Sequence, residues 1–446
     1  MLKVGFVSLG CAKNRVDTEV MLGMLVDRGI ELTDDPAEAD LLIINTCSFI
    51  DSAKDESIVT ILQMAEYKKT GKCRGLLVAG CLSQRYQQGL LDELPEVDAI
   101  IGTGAWHRIL EAVDAVLAGR RVILIGETNT IYNETMPRIH TTPHYSAYVK
   151  VADGCDNCCA YCVIPLVRGD FRSRPVESIV AEVTRLANTG IKEINLIAQD
   201  TTSYGKDLYG TAKLVELLEE LVKIQALQWI RLLYCYPRYF SDELIAIIAK
   251  EEKILPYIDL PLQHIHDDIL AAMNRQDRQA DIKILLDKIR RNIPGVALRT
   301  TFIVGFPGET EEQFQTLRQF MQEQKFDHVG IFMYSPEEDT TAAMMENQIP
   351  AEVKEERYHE LMAIQSQISE ELNRAKEGQI VDVLVEGANP NQREVVFGRS
   401  FREAPDVDGR IYIENSPQSQ AGDMVKVRIV QGFAYDLVAE TVSSNA

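Results

Sequence analysis

The sequence predicts an α/β protein in three parts: an N-terminal doubly wound parallel sheet, a central partial (β/α) barrel of six units, and a small C-terminal antiparallel β-barrel. Three observations predict it. Short apolar runs alternate with amphipathic stretches over residues 1–120. The alternation resumes at longer intervals from about residue 146. After Gly378 the apolar period drops to two, in five short runs separated by turns.

In the first part, strands are expected at 4–8, 41–44, 75–79 and 98–101, with a helix over 17–29. This part takes residues 1–125. Residues 126–145 carry Asn, Thr, Pro and His with little periodicity, and the composition predicts a linker. The central part, 146–350, has expected strands at 148–152, 193–198, 229–234, 257–260, 298–304 and 329–334. Helices such as 176–189 and 311–323 separate them. A charged helix over 351–376 leads into the last part, 377–446, with strands expected at 380–385, 394–397, 410–413, 424–429 and 437–440.

The 446 residues allow two to four domains with ample core. No apolar run approaches the roughly 18 residues of a membrane span, and the first residues lack the pattern of a signal peptide. A cytoplasmic location is expected. Nine cysteines, clustered and odd in number, point to metal or redox use more than to a disulfide framework. The net charge of −21 disfavours a polyanion and suits a basic protein partner.

Three cysteines follow successive predicted strands of the first sheet: Cys11 in SLGCAKN, Cys47 in IINTCSF and Cys81 in LLVAGCLS. In a parallel sheet all three emerge at the carboxyl edge, where open α/β sheets bind ligands. They could hold a cluster or a metal; three buried structural thiols are the alternative. Cys73 precedes its strand, at the opposite edge. Cys235 ends a predicted barrel strand.

A second group lies in GCDNCCAYC, residues 154–162. Cys155, Cys159 and Cys162 satisfy C-x3-C-x-aromatic-C, with Tyr161 as the aromatic. Three thiolates at this spacing suit a [4Fe–4S] cube with one iron left open. A zinc site that also uses Cys158 is the alternative. Adjacent Cys158 and Cys159 do not easily reach one tetrahedral ion, and zinc favours paired, separated arms. The motif is similar to that of the radical S-adenosylmethionine superfamily. That resemblance implies reductive cleavage of S-adenosylmethionine to a 5′-deoxyadenosyl radical, with Tyr161 near the adenine. Gly305 to Glu309 (GFPGE) resembles the superfamily's segment beside the adenine. Gln199, Asp200, Gln263 and His264 fall at the same strand ends. Arg299 could meet the cofactor carboxylate or serve a structural ion pair.

With the first three cysteines and the terminal barrel, the whole chain resembles the methylthiotransferases, whose terminal barrel is of the TRAM kind. The resemblance implies two [4Fe–4S] clusters. One S-adenosyl-L-methionine then serves as methyl donor and another as radical source. Lys13 within SLGCAKNRVDTE, together with RGDFRSRP, QDTTSYG, LLYCYP, DLPLQH and EAPDVDG, is similar to the branch that acts on ribosomal protein S-twelve. In that branch the target is the β-carbon of one aspartate, free or in the small ribosomal subunit. An electron donor such as flavodoxin or ferredoxin is implied; the sulfur donor is not. Arg168, Arg172 and Arg174 are candidates to grip the substrate. The transfer-RNA adenosine branch is the alternative, and an iron–sulfur RNA-binding or sensor protein a third. Residues 375–446 hold seven basic and eleven acidic residues, a net of −4. That balance suits a basic ribosomal protein better than RNA.

Overall fold

The computed structural model describes residues 1–389, 392–414, 416 and 418–442; the last four residues of the predicted terminal part lie outside these. The N-terminal sheet has six parallel strands in the order Glu31–Thr33, Lys3–Ser8, Leu41–Thr46, Gly75–Gly80, Ala99–Ile101 and Val122–Leu124. Sequence periodicity finds four of them. The two it misses are edge strands of three residues each, too short for any period to show. The two central strands are buried at every residue, as strands covered on both faces must be.

The central sheet also has six strands, each parallel to its sequence neighbour: Ser146–Lys150, Glu193–Ile197, Trp229–Leu232, Ile254–Asp259, Ala297–Val304 and His328–Met333. The first and last do not pair, so the barrel stays open. Its two faces differ chemically. The outward residues, among them Val149, Leu196, Leu232 and Leu298, join the largest apolar core beneath the helices. The inward residues include Tyr148, Glu193, Arg231, Tyr257, Asp259 and Arg299. The helix Ala351–Arg374 packs along the strand His328–Met333 and covers that open edge.

The terminal strands Ile380–Asn389, Gln392–Arg399, Ile411–Glu414, Met424–Gly432 and Leu437–Thr441 close into a barrel. It is not wholly antiparallel: Ile411–Glu414 runs parallel to Leu437–Thr441, which is how five strands can close.

The polar inner face of the central barrel is filled by the other two parts. Arg399 of the terminal barrel pairs with Glu193 at 2.8 Å, and Arg231 meets the same carboxylate at 3.3 Å. Asp406 accepts from the Tyr148 hydroxyl at 3.0 Å, and Asp408 from Tyr257 at 2.7 Å. Residues 126–145 form no helix or strand, yet they act as a clasp. The buried Arg138 guanidinium bonds Glu19 of the N-terminal part and Glu182 of the central part, each at 2.6 Å. Among the described residues no helix is long and apolar enough to cross a membrane.

Candidate functional site

The N-terminal sheet delivers three thiols to one edge. Cys11 precedes the helix Ala12–Asp27 as its N-cap, Cys47 directly follows Leu41–Thr46, and Cys81 directly follows Gly75–Gly80. Cys11 and Cys47 flank the point where the strand order reverses, the usual ligand crevice of such sheets. Gly10 permits their approach. Its φ is +84°, and a β-carbon there would stand 2.8 Å from the Cys47 Cβ and 3.2 Å from its Sγ. Asn14 ties the edge together: its Nδ2 donates to the Thr46 carbonyl at 2.9 Å, and its Oδ1 faces the Cys81 Sγ at 3.7 Å. Burial raises the Cys47 thiol and pushes Cys81 up to about 12, so both would have to release a proton to ligate a metal.

The second group sits in the loop after the first central strand. Gly154 is fixed by its surroundings: φ is +81°, and a β-carbon would strike the Asp170 carbonyl at 2.0 Å. The loop folds back on itself through Cys155 N–H to the Gly169 carbonyl at 3.1 Å and Cys162 N–H to the Cys159 carbonyl at 3.0 Å. Cys155, Cys159 and Cys162 are half-buried, whereas Cys158 is exposed. Cys158 takes a left-handed φ of +47°, and its carbonyl accepts from Asn274 at 2.8 Å. Burial pushes Cys155 up to about 11. Tyr161 packs against an apolar patch that contains Ala160, Met273, Phe306 and Tyr334.

Each group is a three-thiol donor set of the kind that holds an iron–sulfur cube, and every cysteine of the chain is free. Among the described residues no three Cys, His, Asp or Glu side chains converge tightly enough for a single metal ion. A four-iron cube spans a wider triangle of thiols than one ion does.

A buried ionic quartet locks the two sulfur-rich edges together. Asp17 lies on the helix that Cys11 caps, and Asp153 lies two residues before Cys155. Lys150 Nζ bonds both carboxylates, with Asp153 at 2.9 Å. Arg168 bonds both as well, each at 3.0 Å, and donates to Asn14 Oδ1. Burial alone would raise the Asp153 pKa, but Arg168 and Lys150 outweigh it and hold the carboxyl far below its usual range. Sequence reading missed Asp17, Lys150 and Asp153; charged residues beside the apolar run AYVKVAD were the available signal.

Two of the arginines proposed to grip the substrate are therefore already spent. Arg168 is committed to the quartet. Arg174 is buried on Glu182 and on the Lys150 carbonyl at 3.1 Å. Arg172 donates to the Arg168 and Asp170 carbonyls. Among the expected cofactor contacts, Gly305 has φ +72° and lies beneath Lys354 of the long helix. The Glu309 carboxylate is buried and held by Arg357 at 2.9 Å, by His264 at 3.1 Å and by the Gly305 N–H. It thus secures the 305–309 loop from within. Arg299 is engaged by Asp259 at 3.0 Å and Asp408 at 3.5 Å, the structural pairing of its two expected roles. Gln199 donates to Asp153 at 3.0 Å, while its Oε1 is buried with no hydrogen-bond partner among the described residues. Asp200 receives Asn157 at 2.9 Å and so braces the cysteine loop. Gln263 has φ +70° and bridges to Phe302.

Lys13 occupies the space between the two edges. Its side chain is buried, and Nζ sits 2.8 Å from the ring centroid of Tyr234, which follows the third central strand. Burial pulls its pKa down to about 8, against the upward pull of the neighbouring Cys11. The acidic terminal barrel does not offer all of its acids outward. Asp408 faces inward onto Tyr257 and Arg299 and is not offered to a basic partner, whereas Asp406 accepts from Tyr148 and stays exposed.

Three family descriptions match the chain in succession: uncharacterized protein family UPF0004 over residues 3–102, the radical SAM superfamily over 149–321 and the TRAM domain over 378–442. The chain is 52% identical over 441 residues to "Ribosomal protein uS12 methylthiotransferase RimO" of Desulforamulus reducens, covering 99% of each. It is 50% identical over 442 residues to the protein of the same name from Geobacter sulfurreducens, again covering 99% of each. Among solved structures it is similar in fold to the radical S-adenosylmethionine methyltransferase TsrM from Kitasatospora setae. The TM-score there is 0.58 at 15% identity, covering 77% of this chain and 74% of that one. A second likeness is to the cobalamin-dependent radical enzyme OxsB, with a TM-score of 0.51 at 11% identity, covering 82% of this chain and 56% of that one.

Proposed function

The chain belongs to the RimO family of radical S-adenosylmethionine methylthiotransferases, and from that premise we propose that it adds a methylthio group to the β-carbon of an aspartate in ribosomal protein S-twelve (uS12). The observation that carries this reading is identity of about half the residues over essentially the full length, all three parts included, with relatives of that name. What supports it in the geometry is that the helix capped by Cys11 and the strand end before Cys155 are bonded together through Asp17, Lys150, Asp153 and Arg168.

We assign Cys155, Cys159 and Cys162 to the radical cluster and Cys11, Cys47 and Cys81 to the other. When bound, the clusters supply the electron that cleaves S-adenosylmethionine and an open iron that holds the transferred sulfur. The chain's own residues bind and orient. Tyr161 and the loop from Gly305 form the apolar wall beside the radical cluster. Glu309, Arg357 and His264 hold that loop. Asp200 and Asn157 brace the cysteine loop, and the quartet of Asp17, Lys150, Asp153 and Arg168 fixes the distance between the two sulfur-rich edges. An electron donor such as flavodoxin or ferredoxin and a cytoplasmic location belong to the same reading.

The test compares intact S-twelve from cells with and without this gene, together with nucleosides from their transfer RNA. S-twelve is expected to lose the mass of one methylthio group in place of hydrogen when the gene is absent. Unchanged S-twelve with loss of methylthio-adenosine would assign the chain to the transfer-RNA branch instead.

A further inference from the structure

We propose that Lys13 is the residue that reads the carboxylate of the target aspartate; the proposal rests on the function proposed above. Its position is the first ground. Lys13 is two residues from Cys11, on the first turn of the helix that Cys11 caps. Its side chain extends to Tyr234 at the carboxyl end of a central strand. The ammonium therefore lies where the N-terminal edge meets the mouth of the central barrel, the space a substrate must enter to reach both edges.

The second ground is its lack of a partner. Lys13 is 5% exposed. Among the described residues no carboxylate stands within ion-pair distance of its Nζ, and no hydrogen bond is made to it; the Nζ lies over the Tyr234 ring. The acids nearby are already engaged. Asp153 is held by Lys150 and Arg168. Asp259 is held by Arg299 and by the Tyr234 N–H at 2.8 Å. A buried ammonium without a bonded anion is costly, and the two fully buried cations beside it, Lys150 and Arg168, both have theirs. Among the described residues the Lys13 ammonium is left with neither a salt bridge nor a hydrogen bond, in the place where the substrate supplies a carboxylate.

The chemistry of the target fits the position. The β-carbon of aspartate lies two bonds from either carboxylate oxygen. Anchoring that carboxylate on Nζ fixes the reacting carbon more closely than any grip on the peptide backbone could. The unpartnered Gln199 Oε1, on a side chain bonded to Asp153, offers an acceptor for a backbone N–H in the same mouth. Substrate selection would thus reside on the N-terminal part, beside Cys11, and not on the terminal barrel.

The experiment measures binding, not turnover. Peptides spanning the target, carrying Asp or Asn at that position, are titrated by fluorescence anisotropy into the anaerobically reconstituted full chain. A charge-assisted contact predicts roughly 10- to 100-fold tighter binding of the Asp peptide by the unaltered protein. In Lys13→Met, of similar length and without charge, the ratio should fall to near one through weaker binding of the Asp peptide alone. Lys13→Arg should restore part of the ratio, which a purely structural lysine would not require. Lys13→Gln serves in place of the Met variant if that fails to fold. A ratio unchanged in the Met or Gln variant, or no preference in the unaltered protein, overturns the proposal. Failure of the functional reading looks different: the Asp peptide would then acquire no methylthio group from the unaltered enzyme.

Discussion

Replacing Gly10 with alanine should remove the first cluster and leave the fold standing. Two costs can be worked out separately. The backbone at Gly10 has φ +84°, and placing an L-residue there costs roughly 1–2 kcal/mol. The new methyl would also meet the Cys47 Cβ at 2.8 Å, well inside the roughly 3.5–4.0 Å of a favourable carbon contact. Cys47 cannot yield freely. Its N–H donates to Ser57 Oγ at 3.2 Å, and its carbonyl accepts from the same hydroxyl at 2.9 Å. Overpacking of this kind costs about 1–3 kcal/mol. Gly29→Ala is the control: φ is +82°, but nothing lies within 4 Å of the added carbon. Gly29→Ala should show the strain alone, and Gly10→Ala the strain plus the displacement of a cluster ligand. After anaerobic reconstitution the unaltered chain and Gly29→Ala should carry about eight irons, and Gly10→Ala about four. If Gly10→Ala holds about eight irons and unfolds with Gly29→Ala, the placement of Cys47 as a ligand beside Cys11 is refuted.

Two further outcomes follow from the second edge. Cys158→Ser should leave iron content and 5′-deoxyadenosine formation near normal, whereas Cys159→Ser should lower iron to about four per chain and abolish 5′-deoxyadenosine formation; the reverse pattern would show that the register of the motif is misread. Asp153→Asn leaves Lys150 and Arg168 with one buried carboxylate between them, a loss of about 3–5 kcal/mol, seen as faster hydrogen exchange in the Cys155 loop. Because the folded pKa of Asp153 is depressed, its contribution is fully present above the unfolded value near about 4 and is lost only as pH falls through the folded one. The stability gap between the two proteins should therefore stay flat from about pH 5 to 8 and close only in acid. A gap that closes between pH 6 and 8 would place the charge elsewhere.

The parts of the molecule governed by local pattern were legible in the sequence. All six central strands and all five terminal strands announce themselves by apolar period, and the strand-end positions of Cys11, Cys47 and Cys81 follow from that period alone. What could not be read depends on pairings between distant residues. Glu31–Thr33 and Val122–Leu124 exist because a sheet edge was available to them. Arg168 looked like a substrate contact because its partner Asp17 is 151 residues away. Arg138 sat in a segment that composition marks as a linker, and only the fold brings Glu19 and Glu182 to it. Lys13 was visible as a departure within a motif, but its lack of a salt bridge among the described residues is a fact of three dimensions.

The quartet that joins Asp17 to Lys150, Asp153 and Arg168 bears on how such a protein can change. Three successive family matches suggest a string of modules that recombination could exchange. The wiring says otherwise. A foreign N-terminal module lacking an acid at position 17 would leave two cations buried opposite a single carboxylate, and the resulting hybrid would lose its alignment before it lost any catalytic group. New substrate preferences are more readily gained by point substitution around Lys13, inside an intact frame, than by shuffling whole parts.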